Sequence, residues 1–444
     1  MSSDQTKQLK QIAEKALAGA KKRGVKDVRI STYRSRNVSM LYRKGRPDKV
    51  SESSQRNLSL YLYIDGRYTA CETNDLRDDA LNNFLDSSVT LCKAMKPDPY
   101  RVIPDPALYE GRQETDLALF DPSIAKVTPA DRHEYAAALE KATLDESGKR
   151  AISVEASYDD TESEIYQLHS NGFEGTKKGT QYWSYSEVAL QDEGDKKPSG
   201  YSVAGARSRA DLEKPEQVAK RTAEVAMARL GASKIETQKL PMIVENKTVS
   251  RILGRLMGAV SGRALQQKTT FLEGMVGKKI GSKVLDLVDD PFVPGGFGSR
   301  LFDSEGISAK KMPIFENGVL RNFYIDTYYG KKLDMPPTTG GSSNLVLTPG
   351  TKSLDQLVAD MNKGILVRGF IGGNSNTTTG DFSLGVYGTL IEKGKLTRAV
   401  SEMNISGNHK DVWNRLVAVG NDPYPYSTYR VPSLVFDELQ FAGA

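Results

Sequence analysis

Apolar residues recur at helical spacing in the first stretch of the chain. Leu9, Ile12, Ala13, Ala16, Leu17 and Ala20 mark one face of a helix over residues 5–23, and Gly24 follows as its stop. The period then changes. "DVRISTYRSRNVSMLYRKG" alternates as strands do, and "NLSLYLYIDGRYTACET" predicts two strands joined by a hairpin at Asp65-Gly66. Helical spacing returns in "DLRDDALNNFLDSSVTLCKAM", with Ala80, Leu81, Phe84, Leu85, Val89 and Leu91 inward. Pro97, Pro99, Pro104 and Pro106 mark an extended connection. A helix is predicted over 129–147 and strands over 150–205, with "GDKKPSG" as a loop tip. Pro215 opens a further helix faced by Val218, Ala219, Thr222, Val225, Ala226 and Leu230, and Gly231 stops it.

"GASKIETQKLP" (231–241) has no period, and the domain boundary is placed there, giving domains 1–235 and 236–444. The second half is glycine-rich and built of strand pairs. Hairpins are predicted at Asn317-Gly318 and at Lys393-Gly394. Their flanks are alike enough to suggest a repeat, although turns of one type share such residues anyway. Ser353 and Gln356 form a capping box. Asn408 with Asp411 opens a last helix that buries Val412, Trp413, Leu416 and Val417. The pattern is α+β in two domains: a mixed N-terminal one and a glycine-rich, strand-rich C-terminal one.

Composition narrows the function. The chain has 444 residues, 61 Lys and Arg against 56 Asp and Glu, and a net charge of +5. Spread over this length, that balance does not supply the clustered basic face of a nucleic-acid binder. Two cysteines, Cys71 and Cys92, make no disulfide framework. No apolar run approaches the ~18 residues of a membrane span, and "MSSDQTKQLKQIAEKAL" has no signal-like apolar segment. The expectation is a cytoplasmic protein without nucleic-acid or membrane partners.

Catalytic candidates are few. His133 begins "HEYAAALE", but Ala137 and Ala138 stand where a second zinc-binding His would fall, so an exposed helix-start residue is expected. His169 precedes Asn171-Gly172 and reads as a turn residue. His409 lies in the first turn of the last helix, where a neutral, solvated role is expected. "GGFGS" and "GFIGGNSNTTTGD" lack both the phosphate-loop ending and the dinucleotide context. No catalytic or metal-ligating residue is predicted. "RILGRLMGAVSGRALQQKTTF" (251–271) reads as one helix without His, Cys, Asp or Glu. Gly254, Gly258 and Gly262 recur every fourth residue along one ridge, which predicts an intimate contact instead of a solvent-lining wall.

Several segments in combination resemble the TldD/PmbA family, once called modulators of DNA gyrase. They are "SGRALQQKTTFLEGMVGKKIGS", "FDSEGI", "IFENGVLRNFYIDTYYGKKL", "TTTGDFSLGVYGTLIEKGKL" and "VSEMNISGNHKDVWNRLVAVGND", with "YIDGRYTACETNDL" in the N-terminal half. The resemblance spans nearly the whole chain. It implies a family of two branches. The TldD branch carries His-Glu-x-x-x-His on a helix and a Cys near the C-terminus as third zinc ligand. The TldE (PmbA) branch lacks these and pairs with TldD, the two forming a cytoplasmic zinc protease of small, unfolded peptides, among them a microcin precursor and an antitoxin.

Residues 251–271 look like the counterpart of the zinc helix. Aligned on Ala259-Val260, Met257 and Gly262 stand at the two histidines and Gly258 at the glutamate, while "YPYSTYRVPSLVF" has no Cys. The resemblance therefore implies a non-catalytic, TldE-like subunit with no cofactor of its own, a zinc-bearing TldD-like partner and a peptide substrate. Gly372, Gly373, Asn374, Thr379, Gly380 and Asp381 are candidates for a peptide channel, with a β-turn loop as the other reading. Asp303 and Glu305 are candidates for contact with peptide backbone, with a tight turn as the other reading. The alternative function is a metal-free homodimer that binds peptides without cleaving them.

Overall fold

One six-stranded antiparallel sheet organises the first half of the molecule, and its strands are unusually long. The computed structural model describes residues 2–443. In chain order the elements are α1 (Ser2–Lys22), β1 (Asp27–Arg43), β2 (Arg46–Ile64), β3 (Arg67–Thr73), α2 (Asp78–Ala94), α3 (Pro129–Ser147), β4 (Ala151–His169), β5 (Glu174–Leu190), β6 (Ser199–Ala206) and α4 (Pro215–Met227). The strand order is β3-β2-β1-β4-β5-β6. Asp65-Gly66 makes the expected hairpin, with φ of 50° and 72°. Lys44-Gly45 makes another, with φ of 55° and 70°, at a turn the alternation did not mark. β2 begins at Arg46, and residues 46–56 are exposed on both faces, so no hydrophobic alternation could reveal them as strand.

All four helices cover the same face. Ala13, Ala16 and Ala20 of α1 and Leu81 and Leu85 of α2 pack on Val28, Ile30, Leu58 and Leu60. α3 and α4 cover the other end, over Met40, Tyr158, Tyr182 and Ala204. Leu91, expected inward, is 49% exposed, and the neighbouring Cys92 takes the buried place on α2. Beneath α3 the Arg132 guanidinium grips Asp160 with two bonds, Nε to Oδ2 at 2.5 Å and Nη2 to Oδ1 at 3.0 Å.

The second half continues with β7 (Gln238–Val244), α5 (Asn246–Ala259), α6 (Gly262–Gln266), β8 (Leu287–Asp289), β9 (Met312–Glu316), β10 (Val319–Leu320), α7 (Thr327–Leu333), β11 (Leu345–Leu347), α8 (Leu354–Ala359), β12 (Lys363–Ser375), β13 (Asp381–Glu392), β14 (Lys395–Asn408), α9 (His409–Val412), β15 (Leu416–Val419), β16 (Tyr429–Arg430) and β17 (Leu434–Ala442). A sheet ordered β14-β13-β12-β7-β17-β15 and a smaller one ordered β10-β9-β8-β11-β16 share one core. The two predicted hairpins fall in different sheets, so their likeness reflects turn chemistry. The Ser353 capping box forms. The last helix is only four residues long, and Val417, expected inward, is 54% exposed.

The halves meet on the helix-free face of the first sheet. Arg29 donates to the Ser304 carbonyl at 2.9 Å and to Glu305 at 3.1 Å. Phe302 lies so close over Gly175 that a Cβ there would sit 2.6 Å from the ring. Trp183 stacks on Phe297 at 4.7 Å, and Arg207 donates to the carbonyls of Gly296 and Phe297.

Arg132→Met tests the buried grip on Asp160. It keeps the side-chain bulk but leaves a buried carboxylate unpaired, so stability should fall by about 3–5 kcal/mol. Urea unfolding measures this, and a midpoint equal to that of the native chain would refute the argument.

Candidate functional site

The segment 251–271 is two helices, not one. Val260 leaves helical geometry at φ −93°, ψ 46°, and Ser261 caps α6 by accepting from Ala264 N at 3.2 Å. The expected single glycine ridge therefore does not exist. Gly262 alone is closely packed: its N–H donates to the Tyr324 carbonyl at 2.7 Å, and a Cβ would lie 3.1 Å from Tyr329 Cβ. A Cβ on Gly254 or Gly258 would meet only ordinary contacts, Tyr429 Oη at 3.5 Å and Thr377 Cγ2 at 3.6 Å, and Gly258 is exposed. These two glycines keep a lane of the α5 surface bare.

β12 packs against the same helix. Its parallel ladder with β7 ends at Val367↔Val244, where the chain turns into α5. Glu245 N donates to the Val367 carbonyl at 3.0 Å and Thr248 Oγ1 to the Arg368 carbonyl at 2.9 Å. Beyond that, β12 pairs with β13 alone. Residues 371–374, which include Gly372, Gly373 and Asn374, are exposed. Gly373 has φ +96° at a bulge, and a Cβ there would strike the Ser383 carbonyl at 2.4 Å.

Thr379, Gly380 and Asp381 belong instead to a closed turn. Gly380 N donates to the Asn376 carbonyl at 2.8 Å, and Phe271 N donates to the Thr377 carbonyl at 2.9 Å. Asp381 accepts from Thr379 Oγ1 at 2.6 Å and Asn408 Nδ2 at 2.8 Å, and these bonds hold its carboxyl below the usual range. Asp303 and Glu305 are engaged inside the chain. Asp303 accepts from the backbone N–H groups of Glu305 and Ile307 and from Thr339, closing the tight turn. Glu305 bridges Arg29 and the Thr327 N–H at the first turn of α7; burial pushes its carboxyl up and Arg29 opposes that.

Two of the three histidines are buried: His409 against its expected solvated role, and His169 while standing, as expected, at the turn, where its carbonyl accepts from Gly172 N at 3.2 Å. His409 is 1% exposed and packs on Phe382. Trp413 Nε1 donates to its Nδ1 at 3.1 Å, which leaves the proton on Nε2, facing Ser375 Oγ at 3.4 Å. Burial, with Arg255 adding, lowers it to about 4, so it is neutral but not solvated. His169 is likewise buried, bonded to the Tyr109 hydroxyl at 3.0 Å, and lowered to about 3 by burial. His133 is exposed beside Tyr42. Among the described residues no three His, Cys, Asp or Glu side chains converge as metal ligands would. The open edge of β12 escaped the sequence because it depends on where β7 stops, more than a hundred residues earlier.

Residues 237–443 match the PmbA/TldA metallopeptidase C-terminal domain, 122–230 its central domain and 27–92 its domain 1. The first two of these stretches of chain in sequence order, 27–92 and 122–230, contribute to one continuous sheet here. The chain is similar to a crystal structure from Bacteroides thetaiotaomicron described as a candidate modulator of DNA gyrase, with TM-score 0.95 and 41% identity, covering 98% of this chain and 99% of the other. It is 29% identical to the metalloprotease PmbA of Escherichia coli O157:H7, over 93% of this chain and 92% of that one. The fold is also that of TldE from Thermococcus kodakarensis, with TM-score 0.85 and 22% identity over 95% and 98% of the two chains.

Two measurements check the site geometry. Gly258→Ala should leave the melting temperature unchanged or raise stability by up to ~1 kcal/mol through helix propensity. Gly262→Leu should cost about 1–3 kcal/mol by overpacking against Tyr329. Equal effects would mean that the lane is not open. The buried histidines also shape the pH response. Their folded values lie below the unfolded 6.5, so the unfolded chain binds extra protons in between. Stability is full above pH 6.5 and falls as pH drops from 6.5 towards about 4. His409→Gln should flatten the urea midpoint against pH in that window, and an unaltered slope would contradict the assignment.

Proposed function

The chain belongs to the PmbA/TldD metallopeptidase family, and on that premise we propose that it is the non-catalytic, TldE-like subunit of a TldD/TldE-type zinc peptidase. It acts by holding small, unfolded peptides, while a TldD-like partner carries the metal. The donor set speaks for this division. A zinc ion needs deprotonated Cys, His or carboxylate ligands, and the wall of α5 and α6 offers Arg251, Gly254, Arg255, Gly258 and Gly262, with Tyr429 beside it. These residues do not fit the ion, and no step of the reaction is assigned to it in this chain.

The observation that carries the peptide-holding role is the single-sided pairing of β12 past Val367. An extended peptide adds to such an edge by main-chain hydrogen bonds, which recognise unfolded chains with little regard for sequence. Gly372, where a Cβ would meet nothing within 4 Å, lets a backbone approach closely, while Gly373 serves the bulge against Ser383. Asp303 and Glu305 act at one remove, by fixing the two halves that flank the edge.

The isolated chain should hold no stoichiometric zinc after dialysis and should cleave no unfolded peptide. Cleavage should appear or rise when a cognate His-Glu-x-x-x-His chain is added. A chelator-sensitive peptidase activity from the chain alone would overturn the proposal. Binding to the edge has its own check by fluorescence anisotropy. A polar ten-residue peptide should lose roughly tenfold or more in affinity when alternate amides are N-methylated, the equivalent of one or two net hydrogen bonds. Indifference to methylation would rule out strand addition.

A further inference from the structure

Between β6 and α4 on one side, and α5, β12 and residues 424–427 on the other, lies an open cleft of about 770 Å³. Aromatic rings dominate its walls. Tyr201, from β6, is 57% exposed although it is a large ring, and it stacks on Tyr185 at 5.8 Å. Tyr424 and Tyr426 meet edge to face at 5.6 Å. Tyr387 leans over the β12 backbone so closely that a Cβ on Gly369 would lie 2.2 Å from its ring. Arg368, Gly369 and Phe370 line the same cleft, so it opens where the one-sided stretch of β12 begins.

Five of the charged side chains that line the cleft are spent on one another, while Glu224 and Arg251, one of each sign, line it without an ion pair among the described residues. Arg221 pairs with Glu213 at 2.5 Å. Glu245 is shared between Lys247 at 3.0 Å and Arg368 at 3.3 Å. With one unpaired charge of each sign, the walls favour neither an acidic nor a basic group, and what they mostly offer is ring faces, ring edges and hydroxyls.

We propose that this cleft is a side-chain pocket of the peptide site and that it takes an aromatic residue of the bound peptide. The proposal rests on the strand-addition reading, since the peptide must lie along β12 for its side chain to enter. A basic side chain entering here would find Glu213 and Glu245 already paired and only exposed Glu224 free, and an acidic one would find Arg221 and Arg368 paired and only exposed Arg251 free. An aromatic ring needs no free charge: it packs edge-on or offset against tyrosines, and tyrosine walls lose little conformational entropy on binding.

The test uses the full-length chain and four fluorescein-labelled ten-residue polar peptides that differ only at one central position, Phe, Ala, Lys or Glu. Anisotropy should show the Phe peptide binding roughly five- to tenfold more tightly than the Ala peptide. Tyr201→Ala and Tyr426→Ala should abolish that preference and leave the Ala peptide's affinity unchanged, while Tyr201→Phe should keep it. Unaltered melting of the Tyr201 variants shows that the fold is intact. If all four peptides bind equally, or if the Lys or Glu peptide binds tightest, the pocket is refuted and strand addition still stands. If none binds, both readings fall.

Discussion

The open edge of β12 depends on one event, the departure of the chain from the sheet at Glu245. β7 lends β12 three rungs of parallel ladder and a fourth bond from the Glu245 N–H, and then turns into α5. A strand that loses a neighbour keeps its main-chain donors and acceptors facing outward. β12 runs on to Ser375 in that condition, with β13 holding it from the other side. α5 touches that edge at its first turn, where Thr248 Oγ1 donates to the Arg368 carbonyl. The buried imidazole of His409 anchors the turn at the end of the hairpin, with Phe271, Phe382 and Trp413 around it. An edge so exposed would be a hazard on a free sheet. Set between two halves of one chain, it becomes a guarded slot.

The slot has two walls only because the halves are fixed to each other. Arg29 is buried at the join and binds Glu305 and the Ser304 carbonyl, and Glu305 in turn caps the N–H of Thr327. Arg207 reaches across to main-chain carbonyls, and burial lowers its guanidinium to about 10. Phe302 and Phe297 supply the apolar part of the same contact. The "FDSEG" turn is thus a joint between layers, and its carboxylates are occupied with that task.

Features with local chemistry were legible in the sequence. Asp65-Gly66, Asn317-Gly318 and Lys393-Gly394 form hairpins because adjacent left-handed residues suit that turn. Pro129 and Pro215 open helices because their missing N–H is not needed there. Features set by distant partners were not legible. His169 is buried by Tyr109 and Phe173, and His409 by rings from three separate stretches. Residues 46–56 carry no apolar alternation, since neither of their faces is covered. The break at Val260 did have a signal in Ser261, a good N-cap, but the run of small residues around it reads equally well as continuous helix.

The central seam of the first sheet bears on how the chain comes to be folded at all. β1 meets β2, and β4 meets β5, across turns of a few residues. β1 meets β4 through partners more than a hundred positions apart, from Arg29↔His169 to Tyr42↔Ala156. Closing so long a loop costs more entropy than closing a hairpin, and such non-local pairing slows folding. The two hairpins are thus the cheap pairings of this sheet, and the seam between them is the costly one. The join to the second half draws on both sides of that seam, since Arg29 of β1 and Gln167 of β4 donate to the same Ser304 carbonyl. The open edge of β12, which lies between the two halves, is therefore bounded on one side by the part of the chain whose pairing is least local.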